Sequence, residues 1–85
     1  MTTIEYIITD ELGIHARPAG QLVKKTNEFK CDIKLGTPEK LVDAKRVMGV
    51  MRLALKQGDK LTMTFEGEDE KEAASNLESF LKENL

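Results

Sequence analysis

The sequence predicts an α+β fold, an open-faced sandwich with a four-stranded antiparallel sheet and three helices on one face. Three observations carry this. Lys60 to Glu66 alternates cleanly, with Leu61, Met63 and Phe65 set against Thr62, Thr64 and Glu66, the period of a half-buried strand. Asp69 to Asn84 places Ala73, Ala74, Leu77, Phe80 and Leu81 on one stripe at helical spacing. The remaining segments interleave with these in the order β-α-β-β-α-β-α, which suits one antiparallel sheet covered on a single side.

Taken in order, Thr3 to Thr9 reads as the first strand, with Ile4, Tyr6 and Ile8 on one face and Glu5, Ile7 and Thr9 on the other. Asp10 and Glu11 end it, and Leu12 to His15 forms the connection. The first helix is expected from Ala16 to Asn27. Ala16, Ala19, Leu22, Val23 and Thr26 recur at its period, and Pro18 suits a first turn because its missing N–H would have no acceptor there. Gly20 inside this helix costs roughly 0.5–1 kcal/mol against alanine. Either a close approach to the sheet requires it or it is tolerated drift.

Asp32 to Gly36 and Lys40 to Asp43 read as two strands of a hairpin, joined through Gly36-Thr37-Pro38-Glu39. Ala44 to Leu55 changes to helical period, apolar over much of its circumference, and Gln57-Gly58-Asp59 turns the chain into the Lys60 strand. Asp69 and Glu72 have capping-box spacing at the start of the last helix.

Composition bounds the function. Eighty-five residues are expected to form one domain, 1–85, burying roughly 60–65% of its unfolded surface. A net charge of −2 with both signs mixed gives no support for nucleic-acid binding, nor does a chain with a single tyrosine and no aromatic-rich strand. The lone Cys31 has no partner for an internal disulfide and fits a reducing cytoplasm. No secretory signal is read at the N-terminus, and no apolar run approaches the ~20 residues of a membrane span. Neither a metal site nor a cofactor site is expected.

The chemistry converges on Gly13-Ile14-His15-Ala16-Arg17-Pro18-Ala19, which holds the only histidine. A lone histidine in a small domain is commonly a surface or core residue; here its neighbours point elsewhere. His15 falls in the cap position of the first helix, where a hydroxyl or carboxylate is usual. A plain imidazole is a poor cap. A phosphorylated one is a good cap, because its oxygens can accept from the free N–H groups around Ala16, Arg17 and Pro18, where the helix dipole favours negative charge. Arg17 adds a permanent cation with a donor fork suited to phosphate, and Gly13 lets the backbone bend before the site. The pattern is that of a nucleophilic imidazole carrying a phosphoryl group transiently.

This stretch resembles the active-site signature of the HPr family, the histidine-containing phosphocarriers of the bacterial phosphoenolpyruvate:sugar phosphotransferase system. Lys45-Arg46-Val47-Met48-Gly49-Val50-Met51 resembles the family's second signature, and the likeness runs over nearly the whole chain without an obvious gap. The resemblance implies the four-strand, three-helix sandwich and a cytoplasmic phosphoryl carrier without cofactor, expected to act as a monomer and not to insert into membranes. It implies that His15 accepts phosphate on Nδ1 from enzyme I and that Arg17 stabilises the group. The phosphate would then pass to the A components of sugar-specific enzymes II. Such a chain is a carrier rather than an autonomous enzyme.

The resemblance further implies a partner-binding surface of Gln21, Lys24, Val47, Met48 and Met51. Spacing alone leaves the methionines open, as core or as a docking patch; their softness suits a surface that fits several partners. Lys24, Lys25, Lys45, Arg46 and Arg52 are expected as a positive rim or as solvated helix faces. Position 46 departs from many relatives, which carry a regulatory serine there. Arg46 cannot be esterified, so that regulation is expected to be absent. The alternative functions are a regulatory binding module, or a phosphocarrier of a nitrogen-related branch, signalling through His15.

Overall fold

The computed structural model describes residues 1–85. Its elements are β1 (Thr2–Ile7), α1 (Ala16–Thr26), β2 (Asp32–Thr37), β3 (Lys40–Asp43), α2 (Val47–Arg52), β4 (Lys60–Glu66) and α3 (Glu70–Asn84). The sheet order is β1-β4-β2-β3, and every neighbouring pair is antiparallel. The expected order and sandwich are therefore both present.

Register explains the core. Met63 on β4 lies opposite Ile4 of β1 and Leu35 of β2, and Leu35 in turn opposes Val42 of β3. This row and its neighbours Leu61, Phe65 and Ile33 point at the helices. Ala19, Leu22 and Val23 of α1, Val50 of α2, and Ala73, Ala74, Leu77 and Leu81 of α3 meet them in one apolar cluster. A fully buried Leu, Val, Ile, Met or Phe side chain of this cluster contributes about 1.5–3 kcal/mol against exposure, so Phe65 and Leu77 matter more than any surface pair. The alternate residues Glu5, Thr62, Gly36 and Leu41 share the opposite, uncovered face.

Three local expectations are corrected. β1 ends at Ile7; Ile8 leaves the strand and is buried, with its N–H donating to the Asp59 carbonyl and its own carbonyl accepting from Gly58. α2 is shorter than Ala44 to Leu55, because both ends are held in turns. The Asp43 carboxylate accepts from the Lys45 N–H at 2.9 Å, keeping residues 43–46 outside the helix. At the other end Ala54 adopts a positive φ of 51°, a left-handed geometry that stops it.

The capping box at α3 is also not formed. Asp69 makes no side-chain cap bond. Its carboxylate accepts instead from the N–H groups of Lys30 and Cys31, each at 2.9 Å. Those donors lie just ahead of β2, and Cys31 is buried, so leaving its N–H unpaired costs more than leaving a helix end to water. Glu70, not Glu72, reaches back to the Gly67 N–H at 3.3 Å and also accepts from the Thr2 hydroxyl.

Gly20 is not held by a close approach: a Cβ built there meets nothing within 4 Å. Thr26, by contrast, is fully buried on the α1 stripe because its hydroxyl is satisfied. It lies 2.9 Å from the Val23 carbonyl and 2.8 Å from that of Ala44, tying α1 to the turn before α2.

Candidate functional site

His15 occupies the N-cap of α1 in extended backbone, with φ −113° and ψ −178°. The geometry of the preceding loop sets this position. Gly13 has φ +65°, and a Cβ there would lie 2.2 Å from the Leu55 carbonyl oxygen, so only glycine fits. Ile14 is buried beside it and donates its N–H to the same Leu55 carbonyl at 3.0 Å. The loop is thus fastened on one side of His15 and the helix begins on the other.

The first turn of α1 is left open. The His15 carbonyl accepts from Ala19 at 3.0 Å, the first bond of the helix. The side chain of His15 makes no cap bond, no acidic residue lies in the first turn, and the N–H groups of Ala16 and Arg17 meet no acceptor in the protein. Pro18 occupies the third helical position, where it removes a donor that would also have been free. Arg17 is exposed and forms no ion pair. An anion at this turn therefore meets two unpaired N–H groups, the positive end of the helix and a guanidinium.

His15, Arg17, Pro18 and Gln21 line a polar cleft of about 250 Å³ together with Asp10 and Asn84. The last two were not legible as site residues, since Asp10 reads as a strand end and Asn84 as the end of a helix. Chain-long contacts bring them in. The N–H groups of Thr9 and Asp10 donate to a carbonyl-side oxygen of Leu85, at 2.6 and 2.8 Å, which docks the end of α3 beside the loop. Asp10 is fixed further by its own turn, in which its Oδ1 accepts from the Leu12 N–H at 2.8 Å.

Lys24 lies one turn beyond Gln21 on an exposed face of α1 and does not line the cleft. Val47, Met48 and Met51 are likewise outside it, on α2, which packs against α1. They are exposed, Met48 at 65% and Met51 at 38%, while Val50 alone turns into the core. The core reading of the two methionines is therefore set aside.

The rim of cations is narrower than expected. The Lys45 ammonium donates to the Phe29 carbonyl at 2.7 Å, and Arg46 pairs with Asp43 at 3.5 Å. Lys24, Lys25 and Arg52 carry no ion pair. No group of His, Cys, Asp and Glu is arranged to hold a metal. No helix is long and apolar enough to cross a membrane.

An open helix start with an imidazole at its cap and an unpaired arginine beside it can receive an anion, on a four-stranded sandwich of the kind small carrier domains share. Comparison with known proteins agrees: the family described as "PTS HPr component phosphorylation site" matches residues 2–83. Phosphocarrier protein HPr of Lysinibacillus sphaericus is 48% identical over 83 residues, covering 98% of this chain and 94% of that protein. Among solved structures, the histidine-containing phosphocarrier protein of a mycoplasma superposes with a TM-score of 0.92 at 33% identity, covering 96% of this chain and 93% of that one. Crh of Bacillus subtilis, described as a domain-swapped, intertwined dimer, matches with a TM-score of 0.78 at 35% identity, covering 100% and 98%. The chain belongs to the HPr family of phosphocarriers of the phosphotransferase system.

Proposed function

We propose that His15 accepts a phosphoryl group from phosphorylated enzyme I and passes it to the A components of sugar-specific enzymes II. The observation that supports this most is the imidazole at the cap of a helix whose Ala16 and Arg17 N–H groups are unpaired. Arg17 supplies the mobile countercharge, and Pro18 keeps the turn in register. Gln21, Lys24, Val47, Met48 and Met51 form the surface on which partners seat. The whole chain, 1–85, works as one carrier domain, as a monomer in the cytoplasm, without a reaction of its own to catalyse.

The test is phosphorylation by enzyme I and phosphoenolpyruvate, read as an acid-labile mass gain of one phosphate. His15→Ala should take none. Arg17→Ala should be charged roughly 10–100-fold more slowly, the size of a lost charge-assisted contact. Equal rates for Arg17→Ala and the parent would remove that role. Arg46 leaves no hydroxyl for serine-directed regulation at α2, and incubation with a kinase of that class should add no phosphate there.

A second reading is a regulatory module that binds other proteins and signals through His15; the likeness to Crh, named for catabolite repression, favours its regulatory part. It is separated from the first by onward transfer. A carrier delivers its phosphate to an enzyme IIA domain, whereas a regulatory module keeps it. Sedimentation of the purified chain distinguishes the monomer from a swapped dimer.

A further inference from the structure

Asp10 is the one acidic side chain that lines the cleft with His15 and Arg17. Its carboxylate is positioned rather than free: Oδ1 accepts from the Leu12 N–H at 2.8 Å, the Asp10 carbonyl accepts from Gly13 at 3.0 Å, and its N–H is held by Leu85 at 2.8 Å. The other oxygen, Oδ2, accepts no hydrogen bond, and no cation pairs with the group. A site shaped only to hold a dianionic phosphoryl group has no use for a fixed negative charge on its wall.

Resting on the reading of His15 as phosphoryl acceptor, we propose that Asp10 raises the transfer potential of the phosphorylated protein by setting a carboxylate against the phosphoryl charge in their shared cleft. Arg17 and the unpaired N–H groups of the first turn favour the phosphorylated state; Asp10 opposes them. The group is thereby held firmly enough to bind and loosely enough to leave. The bookkeeping of atoms is unchanged. On transfer the P–N bond to the imidazole breaks and a new bond from phosphorus to the acceptor's nucleophile forms. With water as acceptor, one proton goes to the imidazole nitrogen and the products are neutral histidine and hydrogenphosphate. Asp10 takes no part in these bonds. It is a positioning charge, felt while the phosphoryl group is present and relieved when it departs.

The experiment equilibrates the full chain with enzyme I in mixtures of phosphoenolpyruvate and excess pyruvate, and reads the phosphorylated fraction by mass. Asp10→Asn keeps the shape and the acceptor for Leu12 but removes the charge. It should shift the equilibrium roughly threefold toward the phosphorylated form at low salt, the scale of a like-charge contact in a solvated cleft. That shift should shrink as salt rises toward 1 M, where the screening length falls to about 3 Å. Asp10→Glu keeps the charge and should stay near the parent. An equilibrium unchanged in Asp10→Asn, or a shift insensitive to salt, or one equally large in Asp10→Glu, overturns the proposal. A parent chain that takes no phosphate ends the reading of His15 and this one together. A parent that is phosphorylated normally while Asp10→Asn matches it ends this one alone.

Discussion

The backbone N–H of Ile14 donates to the carbonyl of Leu55 at 3.0 Å, fastening the loop before His15 to the segment that follows α2. Gly13 makes this possible, because its φ of +65° and missing Cβ let two stretches of backbone touch. Gly13→Ala combines left-handed strain with overlap, since the added carbon would lie 2.8 Å from the Lys56 Cα as well as against Leu55. It should destabilise the protein by about 2–4 kcal/mol. A urea melt within about 0.5 kcal/mol of the parent would contradict this account of the loop.

Two helix positions carry the opposite residue from the one their backbone prefers. Gly20 sits in α1 with open space where a Cβ would go, and Ala54 stops α2 with φ 51°. Gly20→Ala should stabilise by about 0.5–1 kcal/mol through reduced freedom of the unfolded chain. Ala54→Gly should stabilise by a similar amount, about 0.5–1 kcal/mol, by relieving the left-handed residue. Calorimetry should show each melting a few degrees higher, by about 2–8 °C. A lower melting temperature for Gly20→Ala would mean that α1 needs the space it has.

Met48 is 65% exposed on α2, with Val47 and Met51 on the same outward side. Met48→Asp should leave stability within about 0.5 kcal/mol, as for surface changes away from packed features. Transfer to an enzyme IIA domain should fall by roughly fivefold or more, the cost of a lost apolar anchor. A normal melt with normal transfer would remove Met48 from the docking surface.

The pH profile of stability should bend at both ends. The Lys30 N–H, foremost among the donors around it, holds the Asp69 carboxyl below the usual carboxylate range. A group lowered on folding stabilises above its unfolded value, and that contribution is lost as pH falls through the folded value. Asp69→Asn should therefore lose less stability than the parent on acidification below about pH 4. Burial pushes the Cys31 thiol up from 9.0 to about 11, with the Asp69 carboxylate adding to it. A thiol raised on folding stabilises fully below its unfolded value and stops doing so as pH rises through about 11. The gap in melting temperature between the parent and Cys31→Ala should narrow from pH 9 to pH 11, the interval that bounds the thiol's shift. A gap constant across the interval would show that the thiol does not titrate differently on folding.

Local periodicity carried most of the fold. β4 and the stripe of α3 are both legible because their alternation and their apolar spacing report which face is buried. The cap position of His15 was legible for a similar reason, since Pro18 restricts where a helix can start. What periodicity cannot express is a contact between residues distant in sequence. Asp69 reads as a local cap because its nearest N–H donors in sequence belong to α3, yet the donors it serves, Lys30 and Cys31, lie just ahead of β2. Asp10 and Asn84 share a cleft although they stand at opposite ends of the chain. α2 was read too long because its flanking apolar residues keep the helical period while turn chemistry at Asp43 and Ala54 breaks the helix.

The unfinished first turn of α1 has a thermodynamic consequence for a carrier of this kind. If a phosphoryl group on His15 completes the turn through the unpaired N–H groups of Ala16 and Arg17, it would become part of the folded state, and linkage would make its effect appear twice. Whatever it adds to resistance against unfolding is also subtracted from its tendency to leave. Loaded molecules would be the more rigid ones, and each delivery would return the protein to its softer form.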